Sequence, residues 1–271
     1  MLATVWNCGM MKPRLGRILA PNLATSPCLC LLVETGSSLL LVDTGLGTRD
    51  IADPGRLGRS SAILNIQRDP ELTALWRLEA SGYSPSDVTD IICTHLDRDH
   101  AGGLSDFPHA RVHVHKAERD AALNPPTASE RERYRECHFS HGPDWVAHDK
   151  LSEAPWFGLD CIRDMDGLPP EIVLVPLPGH TRGHTAVAVK TGDGWLLHCG
   201  DAFYVSRELS EDGKAPLDVR AFRTLAHNEH RLAMLELVRL RRLAKVTSGR
   251  ITMFATHDFA ACRELDGKSF G

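Results

Sequence analysis

The sequence predicts an α/β protein made of two β-rich halves with helices outside them, and three observations carry that prediction. Apolar runs of strand length recur along the chain, amphipathic stretches with helical spacing lie among them, and several runs end in histidine and aspartate. The first half offers strands at Cys28 to Glu34, Leu39 to Val42, Val88 to Cys93 and Arg111 to His115, with a helical pattern from Glu71 to Ala80. The second offers Glu171 to Leu177, Thr185 to Val189, Trp195 to His198 and Ile251 to Ala255. A long helix is expected from about Asn228 to Ala244, where Leu232, Leu235, Leu237, Leu240 and Leu243 recur at helix-like spacings.

At 271 residues the chain exceeds the usual domain size, yet α/β architectures of this length fold as one unit, so 1–271 is read as one domain. A hydrophobic share of 42% and a charged share of 24% are those of a soluble globular protein rather than a disordered or fibrous one. A net charge of −4 supplies no basic field for nucleic acid or an anionic membrane, which leaves a small molecule as the expected partner. Lys12, Pro13, Arg14 and Arg17 interrupt any secretory apolar core, and no apolar run approaches the roughly 20 residues of a membrane-spanning helix. The eight cysteines contain no paired Cys-X-X-Cys set. Cys28 and Cys30 alternate inside an apolar run, and Cys93 and Cys199 close others, so they read as reduced core residues and the cytoplasm as the compartment. Composition is silent on oligomeric state.

Chemistry concentrates in Cys93-Thr94-His95-Leu96-Asp97-Arg98-Asp99-His100-Ala101-Gly102-Gly103, which packs His95, Asp97, Asp99 and His100 directly behind a strand. Alone, such a run is equally a solvated turn. It is joined by Pro178-Gly179-His180-Thr181-Arg182-Gly183-His184-Thr185, by His198-Cys199-Gly200-Asp201 and by Ala255-Thr256-His257-Asp258, all bordering apolar runs. If those ends converge on one edge, imidazole nitrogens and carboxylate oxygens surround two divalent cations.

In that order, and with Leu41-Val42-Asp43-Thr44-Gly45 ahead of them, these residues resemble the metallo-β-lactamase superfamily from about Val33 to Asp258. The resemblance implies a four-layer αβ/βα sandwich. It also implies two divalent metal ions, zinc first. By that resemblance His95, Asp97 and His180 hold the first metal, Asp99, His100 and His257 the second, Asp201 bridges, and Asp43 orients ligands from behind. The usual second motif is His-X-His-X-Asp-His; Asp97 stands where its second His does, a hard anionic oxygen that admits iron or manganese. His184 is read as a turn or hydrogen-bonding residue rather than a ligand.

Asp201 is followed by Ala202-Phe203-Tyr204, and Tyr204 matches a tyrosine of the lactonase branch, which includes the N-acyl homoserine lactone lactonases. That likeness implies a hydrolase in which a hydroxide shared by the two metals opens a lactone or cleaves a small ester. Tyr204 would donate to the carbonyl oxygen and Asp99 would relay a proton to the leaving alkoxide. The plain alternative for Tyr204 is a core residue anchoring a strand end. Two other functions compete: a non-haem iron redox enzyme of persulfide dioxygenase type, which a carboxylate at Asp97 suits, and a non-catalytic metal-binding module.

Between the halves, segment 116–170 is rich in Pro, His, Trp and charge. Its helix-like piece from Ala128 to Cys137 and the aromatics Trp145, Trp156 and Phe157 make it a candidate cap over the metal edge, or else a packed surface excursion. His109, His113, His115, His138, His141 and His148 are not expected to ligate. The alternation Arg111-Val112-His113-Val114-His115 reads as one polar strand face.

Overall fold

The computed structural model describes residues 1–271 apart from 37, 60, 193, 211 and 248. Its strands are β1 Leu2–Met11, β2 Ser26–Glu34, β3 Leu39–Val42, β4 Val88–Ile92, β5 Arg111–His115, β6 Asp144–His148, β7 Ile172–Pro176, β8 Thr185–Thr191, β9 Gly194–His198, β10 Ile251–Phe254 and β11 Ser269–Phe270. They form a seven-stranded sheet, β11-β1-β2-β3-β4-β5-β6, and a four-stranded sheet, β10-β9-β8-β7. The β3, β4, β5 and β6 neighbours run parallel, as does the β9–β10 pair, while the remaining pairs are antiparallel.

Period-two alternation explains the layers. Leu29, Leu31 and Val33 of β2 face one way and pack with Leu40 and Val42 of β3, Ile172 and Leu174 of β7 and Val187 and Val189 of β8, forming the core between the sheets. Cys30 and Leu32 face the other way, beneath the helices Ala74–Ala80 and Lys116–Leu123. On the small sheet, Val173, Val175, Ala186 and Ala188 meet Leu237, Leu240 and Leu243 of the helix His230–Val246. Helix, sheet, sheet and helix are therefore the four layers, as the sequence predicts. The long helix begins two residues later than the leucine pattern suggests, and Leu235 faces solvent rather than the core.

Three strands go beyond the sequence prediction. β1 and β11 carry both ends of the chain into the large sheet, and β6 extends its other side. The two halves are consequently unequal. The Glu71 to Ala80 pattern resolves into a 3-10 turn, Pro70–Leu72, and a helix that starts at Ala74, where the Thr73 hydroxyl accepts from Trp76 N–H.

Segment 116–170 divides among three environments. The expected helix Ala128 to Cys137 stops at Arg133, because Tyr134 turns to extended backbone, and a separate turn follows at Glu136–Phe139. Asp144–His148 is sheet edge, while Trp156 is buried under the small sheet, edge-on to Trp195. His113 departs from the polar-face expectation. It is fully buried, with Nε2 2.9 Å from Asp90 Oδ1 and Nδ1 3.0 Å from His148 Nε2, so its polarity is satisfied inside the protein. Among the described residues no helix is long and apolar enough to cross a membrane.

Candidate metal centre

The ends of β3, β4, β9 and β10 and the turn between β7 and β8 meet at one edge of the sandwich. Backbone bonds tie them together: Asp43 N–H to Ile92 O at 2.9 Å, Thr185 N–H to Thr94 O at 2.9 Å, and Thr256 N–H to Gly200 O at 3.0 Å. Gly200 has φ +53°, and a Cβ there would lie 2.6 Å from His184 Nε2, so this tight exit from β9 requires glycine. The polar tripeptides that end the strands are thereby brought side by side.

Asp97 Oδ2 lies 3.2 Å from His180 Nε2 and 3.5 Å from His95 Nε2. His257 Nε2 lies 3.3 Å from Asp99 Oδ2 and 3.3 Å from Asp201 Oδ2. Asp201 stands between these sets, with Oδ1 3.3 Å from His100 Nε2 and Oδ2 3.6 Å from His180 Nε2. All seven residues expected to ligate are thus gathered in one cluster. His95 Nε2, His100 Nε2, Asp97 Oδ1 and Asp201 Oδ1 are buried with no hydrogen-bond partner among the described residues. Buried polar atoms are costly to leave unmatched, and His95, His100 and Asp201 offer ligand atoms within 4.8 Å of one another, as do His95, Asp97 and His180, a spacing that a divalent cation satisfies. The donor set fits such ions.

The residues behind the cluster aim it. Asp43 holds a left-handed backbone, φ 58°, and accepts from Thr94 N–H at 2.7 Å, from the Thr94 hydroxyl at 2.8 Å and from His100 Nδ1–H at 2.8 Å. His257 Nδ1–H donates to Pro27 O at 2.7 Å. In each ring Nδ1 is committed to an acceptor behind the cluster, so Nε2 is the nitrogen turned towards it and the one whose lone pair a cation would take on displacing its proton. His184 has both nitrogens engaged by backbone: Nδ1 donates to Leu177 O at 3.0 Å and Nε2 accepts Asp201 N–H at 2.9 Å. Tyr204, 1% exposed, places its hydroxyl 3.3 Å from His180 Nδ1 and stacks parallel to His257.

Electrostatics follow the crowding of opposite charges. Burial disfavours the Asp97 carboxylate, yet Arg133 and His95 hold its pKa well below the usual carboxyl range. Asp99 is treated likewise, lowered to about 2 by His257 and His100 against the cost of burial. Burial alone would lower His257; Asp201 and Asp99 outweigh it and raise the ring to about 10. His180 goes the other way, to about 4, because burial is reinforced by the Arg133 charge.

Three participants escape the sequence reading. Cys28, assigned to the core, has its sulfur within 4.8 Å of ligand atoms of Asp99 and His257. Glu118, fully buried, accepts Leu96 N–H at 2.9 Å and Gly183 N–H at 3.0 Å, and so joins the loop carrying His95 to the loop carrying His180. Arg133 ends the helix Ala128–Arg133 with Nη1 2.7 Å from Asp97 Oδ2. Of these, only Cys28 carried a visible signal, a ligating side chain at the entry of a strand.

Comparison with known proteins identifies the family. The Metallo-beta-lactamase superfamily matches residues 23–246, a span that includes every cluster member except His257. The chain belongs to the metallo-β-lactamase superfamily. A probable metallo-hydrolase from Mycobacterium tuberculosis is 45% identical over 206 residues, covering 76% of this chain; the chain spans 66% of that relative's length. An N-acyl homoserine lactonase from Bacillus thuringiensis is 29% identical over 197 residues, 70% of each chain. In structure, the fold matches an N-acyl homoserine lactone hydrolase solved with the product N-hexanoyl-L-homoserine at its catalytic metal centre, with TM-score 0.72, 23% identity and 97% and 95% of the two chains covered. A dizinc quorum-quenching lactonase matches with TM-score 0.65 and 19% identity, over 95% and 88%.

Proposed function

We propose that this chain is a metal-dependent hydrolase that opens a lactone or cleaves a related small ester. The observation that carries the reading is the cluster itself: His95, Asp97 and His180 stand together, His100 meets His95 and Asp201, and His257 meets Asp99 and Asp201, with four of the buried polar atoms lacking a hydrogen-bond partner among the described residues. Two divalent cations held there, zinc foremost and iron or manganese admitted by Asp97, supply Lewis acidity and lower the pKa of bound water from 15.7 to roughly 7.

The chain's own residues do the rest. His180 keeps Nε2 for ligation only if its proton is on Nδ1, from which it donates to the Tyr204 oxygen 3.3 Å away. The phenol proton is then free to donate to the substrate carbonyl, whose oxygen gains charge as water adds. Burial holds the Tyr204 pKa well above the ordinary phenol value, which favours the protonated, donating form. Asp99, its carboxyl lowered to about 2 and so ionised, takes a proton from the attacking water and passes it to the alkoxide that leaves the ring. The lactone ester bond breaks, water adds across it, and a hydroxy acid is the product.

The similarity to named lactonases supports a lactone over a phosphodiester, and over the redox alternative that the Asp97 carboxylate alone would suit. A pH-stat assay of ring opening tests the reading. N-acyl homoserine lactones should be turned over faster than linear aryl esters and far faster than phosphodiesters. Turnover of phosphodiesters alone would overturn it.

A further inference from the structure

Arg133 occupies a position that a simple two-metal site does not need. Its side chain is only 13% exposed, Nη1 lies 2.7 Å from Asp97 Oδ2 and 3.1 Å from His180 Nε2, and Nη2 donates to Ala226 O. The helix it ends is fastened at this edge by Glu130, which accepts from Arg182 Nε at 2.6 Å and from Asn228 Nδ2 at 3.1 Å. The guanidinium is therefore held in place by its own bonds and by the mounting of its helix.

A neutral imidazole has one lone pair on Nε2. A guanidinium proton directed at His180 Nε2 and a metal ion bound there need the same lone pair, and both need Asp97 Oδ2. We propose that Arg133 is a resident cation of the first half-site. Its guanidinium competes with a divalent ion for His180 and Asp97, so the Asp99–His100–His257 half fills first and the His95–Asp97–His180 half fills only when Arg133 swings aside. Asp97 makes the arrangement consistent, since a neutral imidazole at that position would leave a buried guanidinium without a counter-charge. The proposal rests on the metal-dependent reading above and adds an order of loading to it.

The test is a titration of metal-stripped protein with Co(II), following visible absorption, with bound ions counted by equilibrium dialysis. Wild type should show a tight and a weaker phase, and His257→Ala should remove the tight one. In Arg133→Met, close in size and uncharged, the weaker phase should tighten at least tenfold while the tight phase moves little. Arg133→Lys keeps a charge without the planar fork and should fall between, which separates occupancy of the ligands from a general field effect. Two phases unchanged in Arg133→Met would overturn the proposal, as would weakening of both phases, the sign of a purely structural arginine. Absence of binding in every protein would instead overturn the metal-dependent reading, and this inference with it.

Discussion

Asp43 and His100 are joined Oδ2 to Nδ1 at 2.8 Å, both fully buried, and the same carboxyl group also receives the backbone N–H and hydroxyl of Thr94. One side chain from the end of β3 thus fixes both the ring angle of His100 and the course of the chain into His95. Removing that carboxylate should loosen ligation without touching a ligand. Asp43→Asn is expected to lower metal affinity about 10–100-fold, as such outer partners do. Equilibrium dialysis against a chelator checks it.

Tyr204→Phe deletes only the hydroxyl 3.3 Å from His180 Nδ1. If the phenol donates to a carbonyl oxygen that becomes negative, kcat should fall by roughly a hundredfold with little rise in KM. Lactone turnover measured with the chemical step rate-limiting decides between this and a strand anchor, for which kcat stays put.

Glu118 bonds two ligand loops through Leu96 N–H and Gly183 N–H. Glu118→Ala would strand two buried donors, a loss of about 2–5 kcal/mol. Glu118→Gln retains one acceptor and should recover part of it. Thermal unfolding of the metal-stripped proteins gives the order wild type, Gln, Ala.

Metal binding should release protons at neutral pH. His257 titrates at about 10 and His100 is raised well above the ordinary imidazole value, in both cases by neighbouring carboxylates that outweigh burial. His257 therefore carries its extra proton at pH 7 in the metal-free protein, His100 is biased in the same direction, and ligation requires both rings neutral. Raising the pH removes the competing protons, so apparent affinity should climb from pH 6 towards 9, by roughly tenfold per pH unit for each proton displaced. Calorimetric titration in buffers of different ionisation enthalpy measures the protons directly. The fold stability these pairings give the metal-free protein has the opposite dependence on the alkaline side. For His257 it is complete below the ordinary imidazole pKa and lost as pH rises through about 10.

What the sequence reveals follows from which interactions are local. Leu29, Leu31 and Val33 face one layer and Cys30 and Leu32 the other within one short segment, so β2 is legible from its pattern. The candidate ligands are legible because they close apolar runs in compact groups. β1 is not, since Asn7 and Gly9 interrupt it and the pairing with β2 slips between Asn7 and Met10. Arg133 and Glu118 are single charges on short helices, where a solvated face is the ordinary outcome. Their partners stand 36 and 22 residues away, contacts that only the tertiary fold creates.

Anomalous diffraction from crystals grown with saturating zinc tests the central claim most directly. The account predicts two peaks in the cluster, one ligated by Asp99, His100 and His257 and a second by His95, Asp97 and His180, both touching Asp201, with Arg133 moved off His180. Peaks elsewhere, or none at these residues, would contradict it.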